Sequence, residues 1–375
     1  MSAGAMSGTI KVLEVIECGG PGGAGEQVAA ICNGLPPEKF EVGLVYASRQ
    51  SDAAEYRRKA HGAQKAFYVP EMVREISPAK DWAAFRKLLK IFREEKPDVV
   101  HAHSSKAGAL ARPAAFLAGV PRVFYSPHAY GFLQEDRSMI SRALYYVLEW
   151  CVSWIGHIVA VSPGEGALAR PLSWGKTVHV APVACLVQAP PEPPAKQGGV
   201  LVFGACGRIG PQKNPDAFTH LCQRLTDARY SIRCAWVGGG DGEAKMRQDL
   251  ENMNLLRKVD MTGWLAPEEA ARRVAALDVF VHYSRWEGLP TVILNAMAMG
   301  LPVVASDIPG NRDAVVHGET GFLAENEIEL LEYCLKLADD PALRQKMGEA
   351  GRARVRKEFS RQGLIDKLSA LYAGG

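Results

Sequence analysis

Short apolar runs rich in β-branched residues alternate with segments of helical periodicity along the first half of the chain. The apolar runs predict strands at residues 10–16, 40–46, 66–69, 99–102, 123–125 and 158–161. The segments between them predict helices at 25–34, 52–60, 81–94, 107–117 and 138–154. Because consecutive parallel strands need crossover connections of this length, the repeated strand–helix unit predicts a doubly wound parallel sheet.

The same alternation restarts after residues 189–199, which are too rich in proline for a helix or a strand. Strands are predicted at 200–205, 234–237, 279–282 and 303–305, and helices around 216–225, 244–253, 268–277 and 291–299. We therefore predict an α/β protein with two Rossmann-like domains, 1–188 and 200–355, joined by the linker 189–199. Residues 356–375 are predicted to form a C-terminal helix that packs back toward the first domain. Since ligands bind beyond the carboxyl ends of parallel strands, we expect the chemistry in a cleft that both domains face.

The composition is that of an ordinary globular protein, with 47% hydrophobic residues, 23% charged residues and a net charge of +3. These values exclude disordered, collagen-like and polytopic membrane classes, and the weak charge gives no support for nucleic-acid binding. The apolar stretch 144–162 is interrupted by Glu149, Ser153, Gly156 and His157, so we predict a buried helix that runs into a strand rather than a membrane span. Eight cysteines without a Cys-x-x-Cys pair predict scattered free thiols in a reducing compartment.

A glycine-rich loop follows the first predicted strand. Five glycines occur in residues 19–25, among them Gly22 and Gly23, and a helix is predicted to begin there. Glycines in this position let backbone N–H groups approach an anion at the positive end of a helix dipole. The loop matches neither the dinucleotide fingerprint nor the P-loop, so an anion site and a merely flexible turn both stay open.

Two cations follow the first strand of the second predicted domain. Arg208 comes shortly after that strand, and Lys213 stands five residues later. A planar guanidinium and a compact ammonium suit a diphosphate, although single residues of these types are often solvated surface charges. The chain contains no Asp-x-Asp, so protein cations rather than a carboxylate-bound metal are predicted to neutralise a diphosphate.

The segment 284–300 combines a carboxylate with the start of a helix. Pro290 suits the first turn of that helix and Gly300 its C-terminal end, which places Glu287 in the preceding loop. Thr291 and Asn295 then share one helix face. A carboxylate next to backbone N–H donors fits sugar hydroxyl groups, which both donate and accept hydrogen bonds.

Three histidines lie at or after strand ends in the first domain. His101 and His103 alternate along one strand and could share a metal, but spacing supplies no third ligand, so we favour strand-end residues on the acceptor side. His128 follows the next strand, where a capping role is the ordinary interpretation of a lone histidine.

These segments together resemble the retaining glycosyltransferases of the GT-B fold, specifically glycosyltransferase family 4, over nearly the whole chain. In that family a Glu, seven residues and a second Glu mark the donor site, within Glu-Gly-Leu-Pro and Glu-Ala-Met-Ala-x-Gly-x-Pro-Val-Val-Ala. The chain matches at residues 287–290 and 296–305 and departs at one position, where Asn295 replaces the second Glu. An amide keeps one acceptor and loses the charge, which predicts weaker donor binding rather than loss of function.

The resemblance implies a role for individual residues. The catalytic residues would be His128, Glu287, Arg208 and Lys213. The histidine would lie over the donor sugar, the glutamate would hold its hydroxyl groups, and the two cations would bind the diphosphate. The donor-binding residues would be Gly22, Gly23, Arg208, Lys213, Glu287, Gly288, Leu289, Pro290, Thr291 and Asn295. On the acceptor side, in the first domain, would lie His103 and Tyr130, and no metal or cofactor is implied.

The expected reaction is transfer of a sugar from a nucleoside-diphosphate donor, with UDP the expected nucleotide, to a hydroxyl of a saccharide or lipid-linked acceptor. Retention of configuration and a place in cell-surface polysaccharide, lipopolysaccharide or glycolipid synthesis follow from the resemblance. Two alternatives stay open: a nucleotide-sugar 2-epimerase of the same fold, and a non-catalytic nucleotide-sugar-binding subunit. We expect a cytoplasmic protein. Basic residues in the helix 81–95 and at 57–59 predict either a solvated face or docking on the anionic inner face of the membrane.

Overall fold

The computed structural model describes residues 8–20, 22–48, 53–187, 199–228 and 231–374. The predicted linker 189–199 lies outside these residues except for Gly199, and so does the start of the chain before Gly8. The chain divides into two compact units. Unit 1 comprises Met1–Leu133, Arg137–Ala184 and Arg361–Gly375, and unit 2 comprises Gln134–Asp136 and Cys185–Ser360.

In the described part of unit 1, a seven-stranded parallel sheet has the order β3-β2-β1-β4-β5-β6-β7. Its strands are β1 (Ile10–Gly19), β2 (Phe40–Ser48), β3 (Lys65–Tyr68), β4 (Val99–His103), β5 (Arg122–Ser126), β6 (His157–Ala160) and β7 (His179–Val180). The helices that connect them are α1 (Gly23–Gly34), α2 (Ala53–Lys59), α3 (Pro78–Glu95), α4 (Ser105–Ala118), α5 (Met139–Val152) and α6 (Pro163–Ala169).

Unit 2 has, over its described residues, a six-stranded parallel sheet in the order β10-β9-β8-β11-β12-β13. Its strands are β8 (Leu201–Cys206), β9 (Ile232–Val237), β10 (Val259–Met261), β11 (Val279–His282), β12 (Val303–Ser306) and β13 (Gly321–Ala324). Its helices are α7 (Pro215–Ala228), α8 (Glu243–Asn252), α9 (Pro267–Ala275), α10 (Thr291–Ala298), α11 (Pro309–Ala314), α12 (Glu327–Asp339) and α13 (Pro341–Glu358). The following helix, α14 (Arg361–Ala373), belongs to unit 1.

The predicted fold class is confirmed, because both sheets are parallel and wound in the Rossmann order. Each order reverses between its first and fourth strands, β1 and β4 in unit 1 and β8 and β11 in unit 2. Such a reversal leaves a crevice at the carboxyl ends of the two strands, and this is where open α/β sheets bind ligands. Candidate binding residues are therefore expected near the carboxyl ends of β1 and β4 in unit 1 and of β8 and β11 in unit 2.

One face of each sheet packs into a large apolar core. In unit 1 that core joins Leu13 and Val15 of β1 to Leu88 and Phe92 of α3. In unit 2 the core joins β-strand residues such as Phe203, Trp236 and Val281 to the inner faces of α7 and α12. Burial of side chains of this size contributes about 1.5–3 kcal/mol each, so these cores hold the strand ends in fixed positions.

Three short strands were absent from the sequence prediction: β7, β10 and β13. Each has only two to four residues, too few for an alternating pattern to stand out. The strand β13 also begins with a glycine, which sequence patterns associate with a break. Here Gly321 is required, because a Cβ at that position would lie 2.2 Å from the carbonyl oxygen of Val303 in the neighbouring strand.

The prediction that residues 144–162 include a buried helix is wrong. Helix α5 is mostly exposed, and Glu149 is its single buried residue within the described structure. The prediction assumed that apolar residues face the interior, whereas this helix turns its apolar side chains outward. Within the described residues, no helix has both the length and the apolar character needed to cross a membrane.

Candidate functional site

The cluster at the switch point of unit 2 centres on Glu287. Its side chain is 8% exposed, and its Oε1 accepts hydrogen bonds from Lys213 Nζ at 2.6 Å and His282 Nε2 at 3.0 Å. Gln212 Nε2 donates to the other oxygen at 3.2 Å and also to the carbonyl of Trp286 at 3.0 Å. The loop after β8 supplies Gln212 and Lys213, and the end of β11 supplies His282, so the parallel sheet brings these groups together.

The charge state of this cluster follows from its contacts. Burial disfavours the ionised carboxylate, but the Lys213 ammonium and the His282 hydrogen bond outweigh that cost and lower the pKa of Glu287 to about 2. Burial, together with the Lys213 charge, lowers the pKa of His282, so the ring is neutral at pH 7. Since a carboxylate only accepts, His282 donates from Nε2, and Glu287 is an anion over the whole physiological pH range.

Arg208 lies near the same strand end and is half-buried. Its side chain runs beside Gly240, where a Cβ would come within 2.8 Å of Arg208 Cγ. Among the described residues, no acidic side chain forms an ion pair with this guanidinium. Unlike Lys213, Arg208 therefore keeps its charge available to an anionic ligand.

Helix α10 follows the loop that carries Glu287. Pro290 precedes its first residue, Thr291, and Gly300 follows its end with φ +79°, so the predicted helix limits are close to the observed ones. Asn295 lies one turn after Thr291, and its Oδ1 accepts a hydrogen bond from Cys185 Sγ at 3.5 Å. Burial raises the pKa of the Cys185 thiol, which keeps its hydrogen, and the backbone carbonyls of Val187 and Leu294 are alternative acceptors for it. Gly288 and Leu289 lie in the same loop, between Glu287 and the helix.

The loop after β5 in unit 1 carries His128 in a rarely adopted backbone conformation. His128 has φ +53° and Ala129 has φ +76°, and both values are unfavourable for residues with a Cβ. The turn is held by Glu165, whose Oε1 accepts from the Ala129 N–H at 2.7 Å and whose Oε2 accepts from the Val161 N–H at 2.8 Å. Backbone strain of this kind costs about 1–3 kcal/mol and concentrates at functional sites.

His128 is the outer end of a buried hydrogen-bonded chain. Its Nε2 lies 3.0 Å from His103 Nδ1, and His103 Nε2 lies 2.7 Å from Glu14 Oε2. Because a carboxyl oxygen accepts, His103 carries its hydrogen on Nε2, and a neutral His103 then accepts from His128 Nε2–H. This arrangement fixes the tautomer of His128 and leaves its Nδ1 with the lone pair. Burial of the His128 ring, and then the neighbouring His103, lower the pKa of His128 well below its usual value.

The chain continues from Glu14 to the far end of the sequence. Tyr372 of α14 donates to Glu14 Oε1 at 2.8 Å and also contacts His101 Nδ1. His101 Nε2 lies 2.9 Å from Ser126 Oγ, which donates to the carbonyl of Val159 at 2.7 Å. These contacts place His101, Ser126 and Tyr372 in one buried network with Glu14. Burial of the His101 ring, and then the neighbouring His103, lower the pKa of His101 well below its usual value.

Within the described residues, Glu14, His101 and His103 form the one group of side chains that could chelate a metal ion. Donor atoms of Glu14, His101 and His103 lie within 4.8 Å of one another. Each of these side chains already has hydrogen-bond partners inside the protein. The structure therefore adds Glu14 as the third donor that spacing did not supply, and it joins the three side chains in one hydrogen-bonded network.

The predicted acceptor-side residues are deeply buried. His103 and Tyr130 are each 1% exposed, so neither reaches solvent directly in this structure. Tyr130 stacks on Phe132 with ring centroids 4.8 Å apart. Its hydroxyl has no hydrogen-bond partner among the described residues. Whether these two residues meet an acceptor stays a prediction, although a buried hydroxyl without a partner is the kind of group that a ligand satisfies.

The glycine-rich loop forms the turn between β1 and α1. Gly22 lies just before α1 with φ +135°, a conformation that glycine adopts without strain. Gly23 is the first residue of the helix, and the Glu26 N–H donates to the Gly22 carbonyl at 3.0 Å. The loop thus places the N-terminal end of a 12-residue helix at the carboxyl end of β1, as an anion site would require.

The structure adds residues that the sequence analysis did not single out. Glu14 could have been noticed as the acid inside the apolar run 12–16, and Glu165 as the fourth residue of a Ser-x-x-Glu capping box. His282 is the last residue of its strand, next to the loop of Glu287. Tyr372 carries no local signal, because its role depends on where α14 packs.

Comparison with known proteins identifies the class. Residues 190–354 match the family described as glycosyl transferases group 1, and residues 21–182 match glycosyltransferase family 4. Together the two matches span most of the chain. The chain therefore belongs to the family 4 glycosyltransferases and has the GT-B fold.

Individual relatives agree with this assignment. The chain is 29% identical over 357 residues, 90% of each chain, to UDP-Gal:alpha-D-GlcNAc-diphosphoundecaprenol alpha-1,3-galactosyltransferase from Escherichia coli. The structure of Anabaena HepE in complex with UDP and glucose superposes with a TM-score of 0.77 at 19% identity, covering 98% of this chain and all of that one. Sucrose-phosphate synthase from Thermosynechococcus elongatus gives a TM-score of 0.79 at 18% identity, covering 96% and 98% of the two chains.

Proposed function

We propose that this glycosyltransferase moves a sugar from a UDP-sugar to a hydroxyl group of a lipid-linked saccharide, with retention of anomeric configuration and without a metal ion. The observation that carries the proposal is the buried, ionised Glu287 held against Lys213 at the switch point of unit 2. A fixed anion beside a fixed cation can bind the two halves of a nucleotide-sugar, its hydroxyl groups and its diphosphate.

The two cations of this cluster, Lys213 and Arg208, would bind the diphosphate in different ways. Lys213 is neutralised by Glu287 in this structure, and an incoming diphosphate would share its ammonium with the carboxylate. Arg208 has no acidic partner among the described residues and offers a planar fork to phosphate oxygens. As the bond between the sugar C1 and the diphosphate oxygen breaks, both cations stabilise the charge that develops on the leaving group.

The acceptor hydroxyl would attack C1 from the face that the diphosphate leaves. A new C1–O bond forms, the C1–O bond to the diphosphate breaks, and the acceptor proton passes to a leaving phosphate oxygen. Retention by double displacement would need a carboxylate free to act as a nucleophile. Within the described cluster, Glu287 is the single carboxylate, and its hydrogen bonds to Lys213 and His282 suit a role in holding hydroxyl groups.

The nature of the two substrates is supported by the relatives. The Escherichia coli relative is named for UDP-Gal and for a diphosphoundecaprenol-linked acceptor. The HepE structure contains UDP and glucose. We extend to this chain the UDP-sugar donor, the lipid-linked acceptor and a role in cell-surface polysaccharide or glycolipid synthesis.

A lipid-linked acceptor requires a cytoplasmic enzyme to meet the inner face of the membrane, and we propose that this one does so as a peripheral protein. The sequence suggested basic residues for this contact. The structure exposes Lys87 and Lys90 on α3 but places them beside Glu71 and Glu94, and it pairs Lys59 with Glu26. These partners reduce the net charge that the basic clusters present to a lipid surface.

The direct test is incubation of the purified protein with a panel of UDP-sugars and a lipid extract that contains polyprenyl-diphosphate saccharides. Formation of an extended glycolipid and release of UDP, both followed by mass spectrometry, are expected for one donor. Conversion of the UDP-sugar into its epimer without acceptor would identify an epimerase instead. Donor binding without turnover on any extract would indicate a binding subunit. The anomeric proton of the isolated product, observed by NMR, decides between retention and inversion.

A further inference from the structure

Helix α5 has an exposed face without a single charge. Nine of its 14 residues are exposed, and the seven largest of these are hydrophobic or aromatic. Met139 and Ile140, in its first turn, are each 84% exposed. At about 100° per residue the nine positions cover roughly 200° of the helix circumference. A surface helix of a soluble protein ordinarily exposes polar residues to solvent and buries its apolar residues. In α5 this arrangement is reversed, and we call it an inverted helix.

The two charged residues of α5 point into the protein. Glu149 is 5% exposed and accepts hydrogen bonds from Arg112 at 2.8 Å and from the Tyr125 hydroxyl at 2.7 Å. Arg142 donates to the carbonyl of Phe132 at 2.8 Å. Buried polar bonds therefore fasten the helix to unit 1, and its apolar side is left for something outside.

Neighbouring aromatic residues extend this apolar surface. Trp174 stacks on Trp150 with ring centroids 4.4 Å apart, and Phe116 meets Trp154 edge to face at 5.0 Å. We call the exposed side of α5 together with Phe116, Trp154 and Trp174 the α5 face. It holds most of the large hydrophobic side chains that the described residues expose, and a concentration of this kind marks an interaction site.

We propose that the α5 face binds the surface of a lipid bilayer and lies in the plane of its headgroup region. Fourteen residues span about 21 Å of helix, too short to cross a hydrocarbon core and suited to lying on it. Tryptophan and other aromatic rings prefer this interfacial depth. The proposal rests on the proposed function, since it explains how a lipid-linked acceptor is met.

The charges around the α5 face favour an anionic lipid at its aromatic end. Lys176 donates to the backbone carbonyls of Trp154 and Gly156, which places an ammonium beside the tryptophans. Arg170 is exposed in the preceding turn. Glu149 and Glu165 are buried, and the exposed acidic residues Glu135 and Asp136 precede the opposite end of the helix.

The α5 face is also connected to the loop of His128. Tyr130 in that loop stacks on Phe132, and Phe132 contacts Tyr146 of α5 edge to face at 5.3 Å. A bilayer on the α5 face would therefore lie two aromatic rings away from the buried Tyr130 hydroxyl. If the lipid of the acceptor stays in the membrane, its saccharide has to reach only as far as the surroundings of Tyr130.

The test is binding to vesicles of phosphatidylcholine with a minority of phosphatidylglycerol, measured by sedimentation. The wild type should bind at both low and high salt, because apolar insertion is not screened. In the triple variant Ile140→Glu, Leu144→Glu, Val147→Glu, the fraction of protein bound to vesicles should be lower than in the wild type by about tenfold or more. A matched control, Leu256→Glu with Ile328→Glu, adds charges at exposed hydrophobic positions of unit 2 and should bind as the wild type does.

Three results would overturn the proposal. The first is no vesicle binding by the wild type, the second is full binding by the triple variant with an unchanged circular dichroism spectrum, and the third is loss of binding at high salt. A dimer that dissociates in the triple variant, seen by light scattering without vesicle binding, would assign the face to a second copy. The Glu287→Gln variant should still bind vesicles, so failure of the proposed sugar transfer and failure of lipid docking are separable.

Discussion

At the scale of single residues, the ion pair between Lys213 and Glu287 decides how the donor site responds to substitution. We expect Lys213→Ala and Arg208→Ala each to lower kcat by about 10² or more, because each removes a cation aimed at the leaving diphosphate. Arg257→Ala, at an exposed position of the same unit, is the control and should change kcat little. Near wild-type kcat/KM in either site variant, with an intact fold, would contradict that residue's role.

The pH dependence of this pair has a definite sign. Glu287 has a pKa of about 2 in the folded protein, below the value of about 4.3 expected for an unfolded chain. Its ionised form therefore stabilises the fold above the unfolded pKa, and this contribution is lost as the pH falls toward 2. A limb in kcat/KM between pH 5 and 9 must accordingly come from another group.

Asn295 stands where the resemblance in sequence predicts a glutamate. We expect Asn295→Glu to lower the donor KM several-fold with little change in kcat, because a carboxylate facing the ribose would restore a charge-assisted hydrogen bond made equally in ground and transition states. Steady-state kinetics with varied UDP-sugar give both constants, and Asn295→Gln controls for side-chain length. A higher KM for Asn295→Glu would mean that the amide does not face the ribose.

The Tyr130 hydroxyl is a buried group without a partner, and such groups cost about 1–3 kcal/mol. Tyr130→Phe should therefore raise the free energy of unfolding by about 1 kcal/mol in urea titrations. Tyr125→Phe is the matched control, because it removes a hydroxyl that donates to Glu149 and should lower that free energy. If both variants are destabilised alike, the Tyr130 hydroxyl has a partner after all.

At the scale of elements, α5 is held by a buried salt bridge rather than by an apolar seam. Arg112 is 1% exposed, so Glu149→Gln would leave a guanidinium buried without its counter-charge, and we expect a loss of about 3–5 kcal/mol in unfolding free energy. Glu94→Gln breaks only an exposed pair of α3 and should cost less than about 0.5 kcal/mol. Equal effects of the two substitutions would show that the buried pair does not anchor the helix.

The elements that sequence reasoning found are those whose pattern is local. The β-branched residues of β1 and the short apolar run of β4 are visible in the sequence, and the proline–glycine limits of α10 were close to correct. The inverted helix α5 was misassigned because an apolar composition does not say which side faces the core. Glu14 and His101 were not linked, since their meeting depends on the register of β1 against β4, where the two residues are direct partners.

At the scale of the whole molecule, we expect cationic side chains, rather than a metal ion, to stabilise the leaving diphosphate. Activity in excess EDTA should stay within about twofold of that without chelator, because Arg208 and Lys213 take the place of a metal on the diphosphate. The measurement is UDP release with and without EDTA, followed by addition of Mg²⁺ or Mn²⁺. Abolition by EDTA and rescue by either ion would overturn the metal-free mechanism.

The hydrogen bond between Tyr372 and Glu14 has a consequence for how the chain acquires its structure during synthesis. The two residues are 358 positions apart, and the last strand of the first sheet, β7, ends at Val180, so that sheet is synthesised well before α14 exists. At about 5–20 residues per second, synthesis of the roughly 190 residues between Val180 and Tyr372 takes about 10–40 s. Unit 2 lies almost wholly within that interval and can fold while Glu14 has His103 as a partner but still lacks the Tyr372 hydroxyl. A folded unit 2 also shortens the flexible chain that must close when α14 docks on unit 1, which lowers the entropy cost of that step.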